Sequence, residues 1–258
     1  MKVLNIDLDF FLSRIRHSPD EDTRPAADEF SPWAPESVHE FMKRNCGLTS
    51  SPKLPTMVVT THDEVFDLWK EQIRNGRLHT PFDVVHIDAH ADLGMGDASC
   101  TYILGELLHI APHERQEPRR GGWCGLAEGN YLAFAVACRW LRTLTYVHHP
   151  QMSNDLPRFL FRGHDTKTGM IELGCYRAKD AKSLGSLNVP PQPIATEPPV
   201  PIHVIPAKEF RDDGNFAFGY LSRSPRYTPV EAEALVPVIG EYLQFLDREA
   251  FFTSGNRA

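Results

Sequence analysis

Short apolar, β-branched runs alternate along this chain with segments in which apolar residues recur at helical spacing. The strand-like runs are residues 2–9, 56–61, 83–88, 143–148 and 202–205. The helix-like segments are residues 35–43, 65–73 and 130–141. Strand–helix–strand units of this length predict parallel strands joined by crossover helices. The pattern, which contains no repeat and no interdomain linker, predicts one α/β domain over residues 1–258 with a mostly parallel sheet.

The second half of the chain departs from this regular alternation. Residues 159–162 and 170–176 flank a turn-like segment and predict a β-hairpin added to the core. The stretch 184–201 carries six prolines, which predict a loop or an extended strip. Residues 228–231, Thr-Pro-Val-Glu, predict a helix that begins with a capping box, and Pro237 interrupts that helix.

The most distinctive stretch is residues 84–92, an apolar run that ends in Asp88, His90 and Asp92. Alternate residues of a strand point to one face, so an extended chain brings these three side chains together. Two carboxylates and an imidazole on one face are costly to bury unless a positive charge compensates them. The stretch therefore favours a divalent cation over its alternative, an ordinary strand end with solvated acids and a core histidine.

Two further predicted strands carry side chains of the same kind. Asp7 and Asp9 share one face of the first apolar run, although aspartate is depleted in strands. His62 follows the run 56–61. Ligands of open α/β sheets bind outside the carboxyl ends of the strands. We therefore expect these three side chains to meet the 88–92 motif at one metal site.

These motifs resemble those of the arginase and agmatinase superfamily. Residues 88–92, Asp-Ala-His-Ala-Asp, are similar to its Asp-Ala-His-x-Asp motif, and His62 resembles its isolated first histidine. Residues 7–9, Asp-Leu-Asp, resemble its Asp-x-Asp motif, which here comes first rather than last. This order, with residues 128–132, Glu-Gly-Asn-Tyr-Leu, is more similar to a rearranged branch. Characterised members of that branch are peptide arginases, and the resemblance covers roughly residues 1–140.

The resemblance implies an arginase-like three-layer α/β/α fold that holds two Mn²⁺ ions, with Fe, Co or Ni as other divalent ions that such ligands accept. The ligands that it implies are Asp7 and Asp88 shared by both ions, His62 and Asp92 on one ion, and Asp9 and His90 on the other. A hydroxide shared by the ions attacks the guanidinium carbon of arginine and yields ornithine and urea. Asp92 is the candidate acceptor of the proton.

Departures from the family pattern bear on the substrate. Arginases hold the α-carboxylate of free arginine partly with a Ser-Gly-Asn segment, where this chain has Glu128 followed by glycine and Asn130. A glutamate there repels an α-carboxylate, which favours arginine inside a peptide, with Asn130 as a substrate-binding residue. Leu132 replaces the family's proton-shuttle histidine. The catalytic carboxylate that holds the guanidinium is left open between Glu64 and Glu128.

Composition narrows the classes of protein. The 258 residues, 41% hydrophobic and 24% charged, are ordinary for one globular domain. A net charge of −7 and the lack of a basic stripe argue against a nucleic-acid partner. Five cysteines without a close pair favour a reducing compartment. With no run of membrane-spanning length and no signal-peptide core, we expect a cytoplasmic protein without a membrane partner, of unknown oligomeric state.

Three functions are compatible with these observations. The first is a manganese-dependent peptide arginase that converts arginine side chains of a ribosomally made precursor peptide to ornithine. The second is another dimetal hydrolase on the same core, acting on agmatine-like amidines, small amides or phosphoesters. The third is a catalytically inactive metal-binding scaffold, which six intact candidate ligands argue against because metal-free carboxylate clusters are costly. The first two differ in product, since only the arginase releases urea and leaves ornithine.

Overall fold

The computed structural model describes residues 1–17, 23–151, 155–184 and 191–253. Within these ranges it contains ten strands and seven α-helices. The strands are β1 (Lys2–Asp7), β2 (Leu54–Val59), β3 (Phe82–Asp88), β4 (Leu141–His148), β5 (Met170–Ile171), β6 (Gly174–Cys175), β7 (Ala195–Thr196), β8 (Val200–Pro206), β9 (Phe218–Ser222) and β10 (Leu243–Leu246). The α-helices are α1 (Pro35–Glu40), α2 (Asp63–Arg74), α3 (Ser99–Gly105), α4 (Tyr131–Ala137), α5 (Ala178–Ser183), α6 (Leu235–Ile239) and α7 (Arg248–Thr253).

Eight of these strands form one sheet in the order β10-β2-β9-β1-β3-β4-β8-β5. Every pairing in it is parallel except that of the short edge strand β5 with β8. The carboxyl ends of β2, β9, β1, β3 and β4 therefore lie side by side along one edge of the sheet. The predicted α/β class with a mostly parallel sheet is confirmed.

Alternating residues of the central strands pack into two separate hydrophobic cores, one on each face of the sheet. Val3 and Val84 belong to the core that also contains buried residues of α2, α3 and α4. Leu4 and Ile6 face the opposite core, which contains buried residues of α1 and α6. Helices thus cover both faces of the sheet, which makes the predicted three layers. Because Asp7 alternates with Ile6, it belongs to the face of the first core.

The strands end earlier than the alternation of acids predicts. β1 stops at Asp7, whose side chain accepts a hydrogen bond from the amide of Asp9 and begins a 3₁₀ helix over Leu8–Phe11. β3 likewise stops at Asp88, so His90 and Asp92 lie in the loop that follows it. Asp7 and Asp9 therefore do not share a strand face as predicted. A turn rather than a pleat brings Asp9 to the site.

Two strands of the sheet were not predicted, and residues 202–205 are not the last core strand. β9 lies between β2 and β1 in the middle of the sheet, and β10 forms one edge. β9 is only five residues long and contains Gly219, a residue type that is depleted in strands. A Cβ at Gly219 would lie 3.1 Å from Oγ1 of Thr56 on the neighbouring strand. Close packing against the neighbouring strand thus explains why β9 contains a glycine, and this glycine is the reason that the sequence pattern did not predict the strand.

The predicted antiparallel addition to the core in the second half is present. Residues 159–162 and 170–176 meet at an antiparallel bridge between Phe161 and Ile171. The two-stranded pair joins β6, from the predicted segment 170–176, to β7, which comes from the proline-rich stretch 184–201, and β5 joins the main sheet. Residues 185–190 of that stretch and residues 18–22 of the early polar loop lie outside the described residues. The predicted capping box does not form, because the segment begins as a 3₁₀ helix over Val230–Ala234 with Pro229 rather than Thr228 at its N-cap. No helix within the described ranges is both long and apolar enough to cross a membrane.

Candidate metal centre

A cavity of about 250 Å³ opens at the carboxyl ends of the central strands. All six metal ligands implied by the sequence contribute to its wall. The complete lining is Asp7, Asp9, His17, His62, Asp88, Ala89, His90, Ala91, Asp92, Leu93, Met95, Glu128, Gly129, Asp155, Ser224 and Tyr227. These residues come from the ends of four strands and from distant loops. The parallel sheet therefore assembles the site at the edge where ligands of such folds bind.

Three carboxylates converge on one imidazole nitrogen at the inner end of this cavity. Nδ1 of His62 lies 3.0 Å from Oδ2 of Asp88, 3.0 Å from Oδ2 of Asp92 and 3.3 Å from Oδ2 of Asp7. All four side chains are buried. A single N–H donates well to only one acceptor, so a proton on Nδ1 cannot satisfy three oxygens. A divalent cation satisfies all four atoms together.

His86, which the sequence motifs did not single out, completes this first cluster. Its Nε2 lies 3.3 Å from Oδ2 of Asp88, and His62, His86, Asp88 and Asp92 form a group whose ligand atoms could hold one ion. The same Nε2 also lies 3.1 Å from the carbonyl oxygen of His90, an acceptor that requires a proton on this nitrogen. We therefore assign His86 to orienting Asp88 and the loop after it. Its position on the inward face of β3, two residues before Asp88, was the signal available in the sequence.

A second cluster, formed by Asp9, Asp88 and His90, shares Asp88 with the first. Nδ1 of His90 lies 3.0 Å from Oδ2 of Asp9 and 3.7 Å from Oδ1 of Asp88. Nε2 of His90 contacts the carbonyl oxygen of Arg16 at 2.9 Å. Such a carbonyl fixes the ring of a metal-binding histidine and directs its other nitrogen to the ion. The two groups share Asp88, whereas Asp7, the other ligand that the resemblance implies is shared, contacts His62 at 3.3 Å and belongs to neither group.

Two non-glycine residues with left-handed backbone hold the site together. Asp92 has φ 49° and Ser224, on the loop after β9, has φ 42°. The carbonyl of Asp92 accepts a hydrogen bond from the amide of Leu132 at 3.2 Å, which ties the loop to α4. The hydroxyl of Ser224 donates to Oδ2 of Asp7. Backbone strain of this kind costs about 1–3 kcal/mol per residue and persists at functional sites where neighbours enforce it.

Burial and mutual repulsion shift the pKa values of the clustered side chains. Burial raises the pKa of Asp7 and of Asp92 well above the usual range, and neighbouring aspartates add to the shift. Burial opposes protonation of His62 and His90, yet the surrounding carboxylates raise the pKa of both well above 6.5. Without a cation, this part of the protein therefore retains protons that an ion would displace.

The pKa values of Asp88 and of His86, the histidine that orients it, are lowered. Burial alone would raise the pKa of Asp88, but the charge that His86 gains at low pH and hydrogen bonds from His62 and His90 outweigh it and lower the pKa below the usual range. Burial lowers the pKa of His86 to about 4. His86 is therefore neutral at pH 7, in keeping with a role as a hydrogen-bond donor rather than a second positive charge. Asp88 is the carboxylate that stays ionised between the two clusters.

Two of the residues expected to serve catalysis or substrate binding lie elsewhere. Glu64 is exposed, and its Oε1 accepts hydrogen bonds from the amides of Thr60 and Thr61 at 2.9 and 3.1 Å. Glu64 caps the start of α2 and does not line the cavity, so we do not retain it as a guanidinium ligand. The reason is the loop after β2, which directs His62 inward and Glu64 back to the chain.

Asn130 is buried and uses its whole amide group within its own loop. Its Nδ2 donates to Oδ2 of Asp97 and to the carbonyl of Gly125, each at 2.9 Å, and its Oδ1 accepts from the amide of Ala127 at 2.8 Å. These bonds order the long loop between β3 and α4. Asn130 does not line the cavity, which corrects its expected role as a substrate-binding residue.

Glu128 does line the cavity, and so do several residues that the sequence motifs did not identify, among them Tyr227 and Asp155. Oε1 of Glu128 accepts from Nη1 of Arg226 at 2.9 Å, while burial raises the pKa of Glu128. The ring of Tyr227 packs 4.8 Å from the ring of His90, centroid to centroid. Asp155 contributes a carboxylate beside the loop after β3. Tyr227, and Arg226 that pairs with Glu128, follow the unpredicted strand β9, which explains why sequence reasoning missed them.

The donor set fits divalent metal ions. Oδ2 of Asp88 is buried and has no hydrogen-bond partner among the described residues, although Nδ1 of His62 lies 3.0 Å away. A buried carboxylate oxygen in this state needs a positive partner. Aspartate oxygens combined with imidazole suit manganese, and imidazole also suits iron, nickel and zinc. The site is therefore a buried His/Asp cluster that can hold a metal.

Removing the metal should lower the melting temperature, and the loss should grow with pH. An ion bound at a hundred to a thousand times its dissociation constant adds about 3–4 kcal/mol, which is about 10 °C for a chain of this size. The raised pKa values of His62, His90, Asp7 and Asp92 mean that the metal-free fold gains stability from protons at low pH and loses it as pH rises. Deprotonation also strengthens metal binding.

The measurement is a thermal melt of manganese-loaded and chelated protein between pH 6.5 and 8.5. Metal analysis of both samples verifies loading and removal. The lowered pKa of His86 makes the metal-free fold more stable as pH rises. Four groups with raised pKa values have the opposite effect, so the net stability of the metal-free fold should fall. Identical melting curves after verified metal removal would contradict a tight carboxylate cluster.

Comparison of the chain with protein-family models, with curated proteins and with solved structures found no match. The class of protein is therefore defined by the fold and the site themselves. The chain is an α/β protein with a mostly parallel sheet and, at the carboxyl ends of its central strands, a buried His/Asp cluster that can hold a metal ion.

Proposed function

We propose that this chain is a manganese-dependent peptide arginase that hydrolyses arginine side chains of a peptide to ornithine and urea. The observation that carries the proposal is the sharing of Asp88 by two ligand clusters, one with His62 and Asp92 and one with Asp9 and His90. These are the residues whose motifs resemble the arginase superfamily. A pair of ligand clusters joined by one carboxylate suits two ions rather than a single structural ion.

The residues of the chain have distinct roles in this proposal. Two divalent ions, when bound, lower the pKa of water and supply a hydroxide nucleophile near neutral pH. Asp92 directs Oδ2 at His62, and its Oδ1 has no hydrogen-bond partner among the described residues. That oxygen is available to accept a proton from the attacking water and to pass it to the leaving nitrogen. The ring of Tyr227 packs against the ring of His90, with 4.8 Å between the centroids.

The choice of a peptide over free arginine rests on Glu128, which lines the cavity. A carboxylate there repels the α-carboxylate of free arginine and tolerates a neutral peptide bond. Arg226 pairs with Glu128 at 2.9 Å and neutralises part of this charge. The direct comparison of the two substrates therefore decides between them.

The experiment compares three substrates with the manganese-loaded protein: a peptide that contains arginine, free arginine and agmatine. We expect urea from the peptide and a peptide mass lowered by CH₂N₂ per converted arginine, at a kcat/KM at least about tenfold above that for free arginine. A protein with Asp88→Asn, prepared in the same way, controls for contaminating activity. Parallel reactions with iron, cobalt and nickel identify the metal that supports the highest rate.

Each alternative function has its own outcome in this experiment. Turnover of agmatine or free arginine with arginine peptides left intact would identify a small-molecule amidinohydrolase instead. No urea from any of the three substrates, with two ions bound, would contradict the arginase and leave a different dimetal hydrolase or an inactive scaffold.

A further inference from the structure

Two large apolar side chains are exposed on the long loop between β3 and α4, beside the cavity. Trp123 is 72% exposed, the highest value for a large apolar side chain among the described residues. Met95 is 56% exposed and also lines the cavity. Contact of such side chains with water is unfavourable. Exposed apolar surface next to a site therefore indicates a surface that another molecule covers.

Backbone hydrogen bonds hold these two residues near each other and near the cavity. The amide of Gly94 donates to the carbonyl of Gly129 at 2.9 Å, and the amide of Ala98 donates to the carbonyl of Trp123 at 3.0 Å. Met95 lies between the two donors, and Gly129 lines the cavity. Three residues span at most about 10 Å, so the backbones of Met95 and Trp123 lie within about 14 Å of each other.

The loop is closely packed beneath Trp123 and open above it. A Cβ at Gly125 would lie 2.4 Å from the carbonyl oxygen of Gly121, so the backbone at this tip has no room for a side chain. A Cβ at Gly122 or at Gly129 would meet no atom within 4 Å. Space is therefore open both beside Trp123 and at the wall of the cavity, where a second chain can approach the backbone closely.

Continuity with the cavity indicates what covers this surface. Met95 belongs both to the cavity wall and to the exposed surface, so a molecule that extends out of the cavity passes over it. A peptide whose side chain enters the cavity leaves its neighbouring residues in this place. Arg120, the charged residue nearest to Trp123 along the chain, is already paired with Asp67 at 2.7 Å. The surface thus offers an apolar contact.

We infer that Met95 and Trp123 form a docking surface for an apolar or aromatic residue of the peptide, within about four residues of the reacting arginine. The inference rests on the proposed function, because it takes an arginine side chain as the group in the cavity. The limit of about four residues follows from the span of about 14 Å, since each residue of an extended chain covers about 3.3–3.6 Å. Tryptophan is typical of positions that carry binding energy, because its large ring loses little conformational entropy on binding.

The test uses peptides with one arginine in a background of glycine and serine. A single leucine or tryptophan is moved through the four positions on either side of the arginine. Titration calorimetry with the manganese-loaded protein measures the Kd of each peptide, and KM replaces Kd where mass spectrometry finds turnover. N-acetyl-arginine amide, which has no flanking residue, is the short reference. We expect the best apolar peptide to bind at least about tenfold more tightly than the peptide without an apolar residue.

Trp123→Ala should abolish most of this gain in affinity, and Trp123→Phe should keep part of it because a ring remains. Since the side chain of Trp123 is exposed, we expect both variants to fold, which circular dichroism verifies. Ile194→Ala is the matched control. Ile194 is 61% exposed and lies outside the cavity, so this variant should bind the apolar peptide as the wild type does.

Several results would overturn the inference. One is equal affinity for all peptides in the wild type, and another is an undiminished gain in Trp123→Ala. A third is an equal loss of affinity for N-acetyl-arginine amide and for the apolar peptide in Trp123→Ala, which would mean a distorted cavity. A dimer that dissociates in Trp123→Ala, measured by light scattering, would make the surface a contact between two copies of the chain.

The proposed function fails separately from this inference. If no urea forms but apolar peptides bind in a manner that depends on Trp123, the peptide arginase is contradicted and the docking surface stands. If urea forms with the same kcat/KM from every peptide, the docking surface is contradicted and the peptide arginase stands.

Discussion

Replacing Asp88 with asparagine is expected to cost the protein both metal ions and its hydrolytic activity. Asp88 is the only residue shared by the two clusters of candidate ligands among the described residues, and it directs one oxygen at His62 and the other towards His90. Loss of residues that merely orient metal ligands lowers metal affinity or activity about 10–100-fold. Loss of the shared ligand itself should therefore exceed about a hundredfold in both quantities. Mass-spectrometric metal analysis and urea release measure the two effects.

The matched control is Asp83→Asn, the same chemical change at the other end of β3. Asp83 pairs with the exposed Arg142 and accepts a hydrogen bond from Thr143 at 2.6 Å, away from the cavity. An exposed ion pair contributes about 0–1 kcal/mol, so this variant should keep its metal and its activity. Circular dichroism verifies that both variants fold. Two ions bound at wild-type affinity in Asp88→Asn would exclude Asp88 as the ligand that the clusters share.

Variants of the second cluster should lose one ion and keep the other. Asp9 and His90 contact each other at 3.0 Å and share only Asp88 with the first cluster, so their loss leaves His62 and Asp92 in place. We expect Asp9→Asn and His90→Asn each to retain about one ion per chain and to lower kcat by more than about a hundredfold. Equal severity of the two variants is the specific expectation, since each removes one ligand from the same ion.

Metal titration followed by desalting and metal analysis gives the stoichiometry of each variant. His203→Asn on β8 is the matched control for His90→Asn, because His203 is exposed and lies outside the cavity. A double variant, Asp9→Asn with His90→Asn, that still binds two ions would disprove the second cluster. Binding of only one ion by the wild type would disprove the two-ion site itself.

The sequence by itself determined the central β–α–β architecture and the chemical character of the site. Alternating apolar residues in β1 and β3 must face two cores, so the sheet, its parallel strands and its helical layers follow from local periodicity. The same periodicity, together with acids and histidines after the strands, brought Asp7, His62 and Asp88 to one edge. Parallel strands end at a common edge whatever the loops do, which is why this part of the site was predictable.

Only the tertiary structure decided which side chains complete the cavity. Asp155, Tyr227 and Ser224 come from loops whose paths depend on packing against distant segments, and local periodicity carries no information on such paths. The sequence pattern did not predict β9 for a related reason. Its Gly219 is needed because a neighbouring strand packs closely against it, and the local sequence does not show that neighbour. Asn130 is the opposite case, a residue that the motif predicted in the site and that the structure places outside it. Its amide group makes all of its hydrogen bonds within its own loop. Hydrogen-bond partners are set by three-dimensional proximity, and sequence spacing determines that proximity only within one strand or helix.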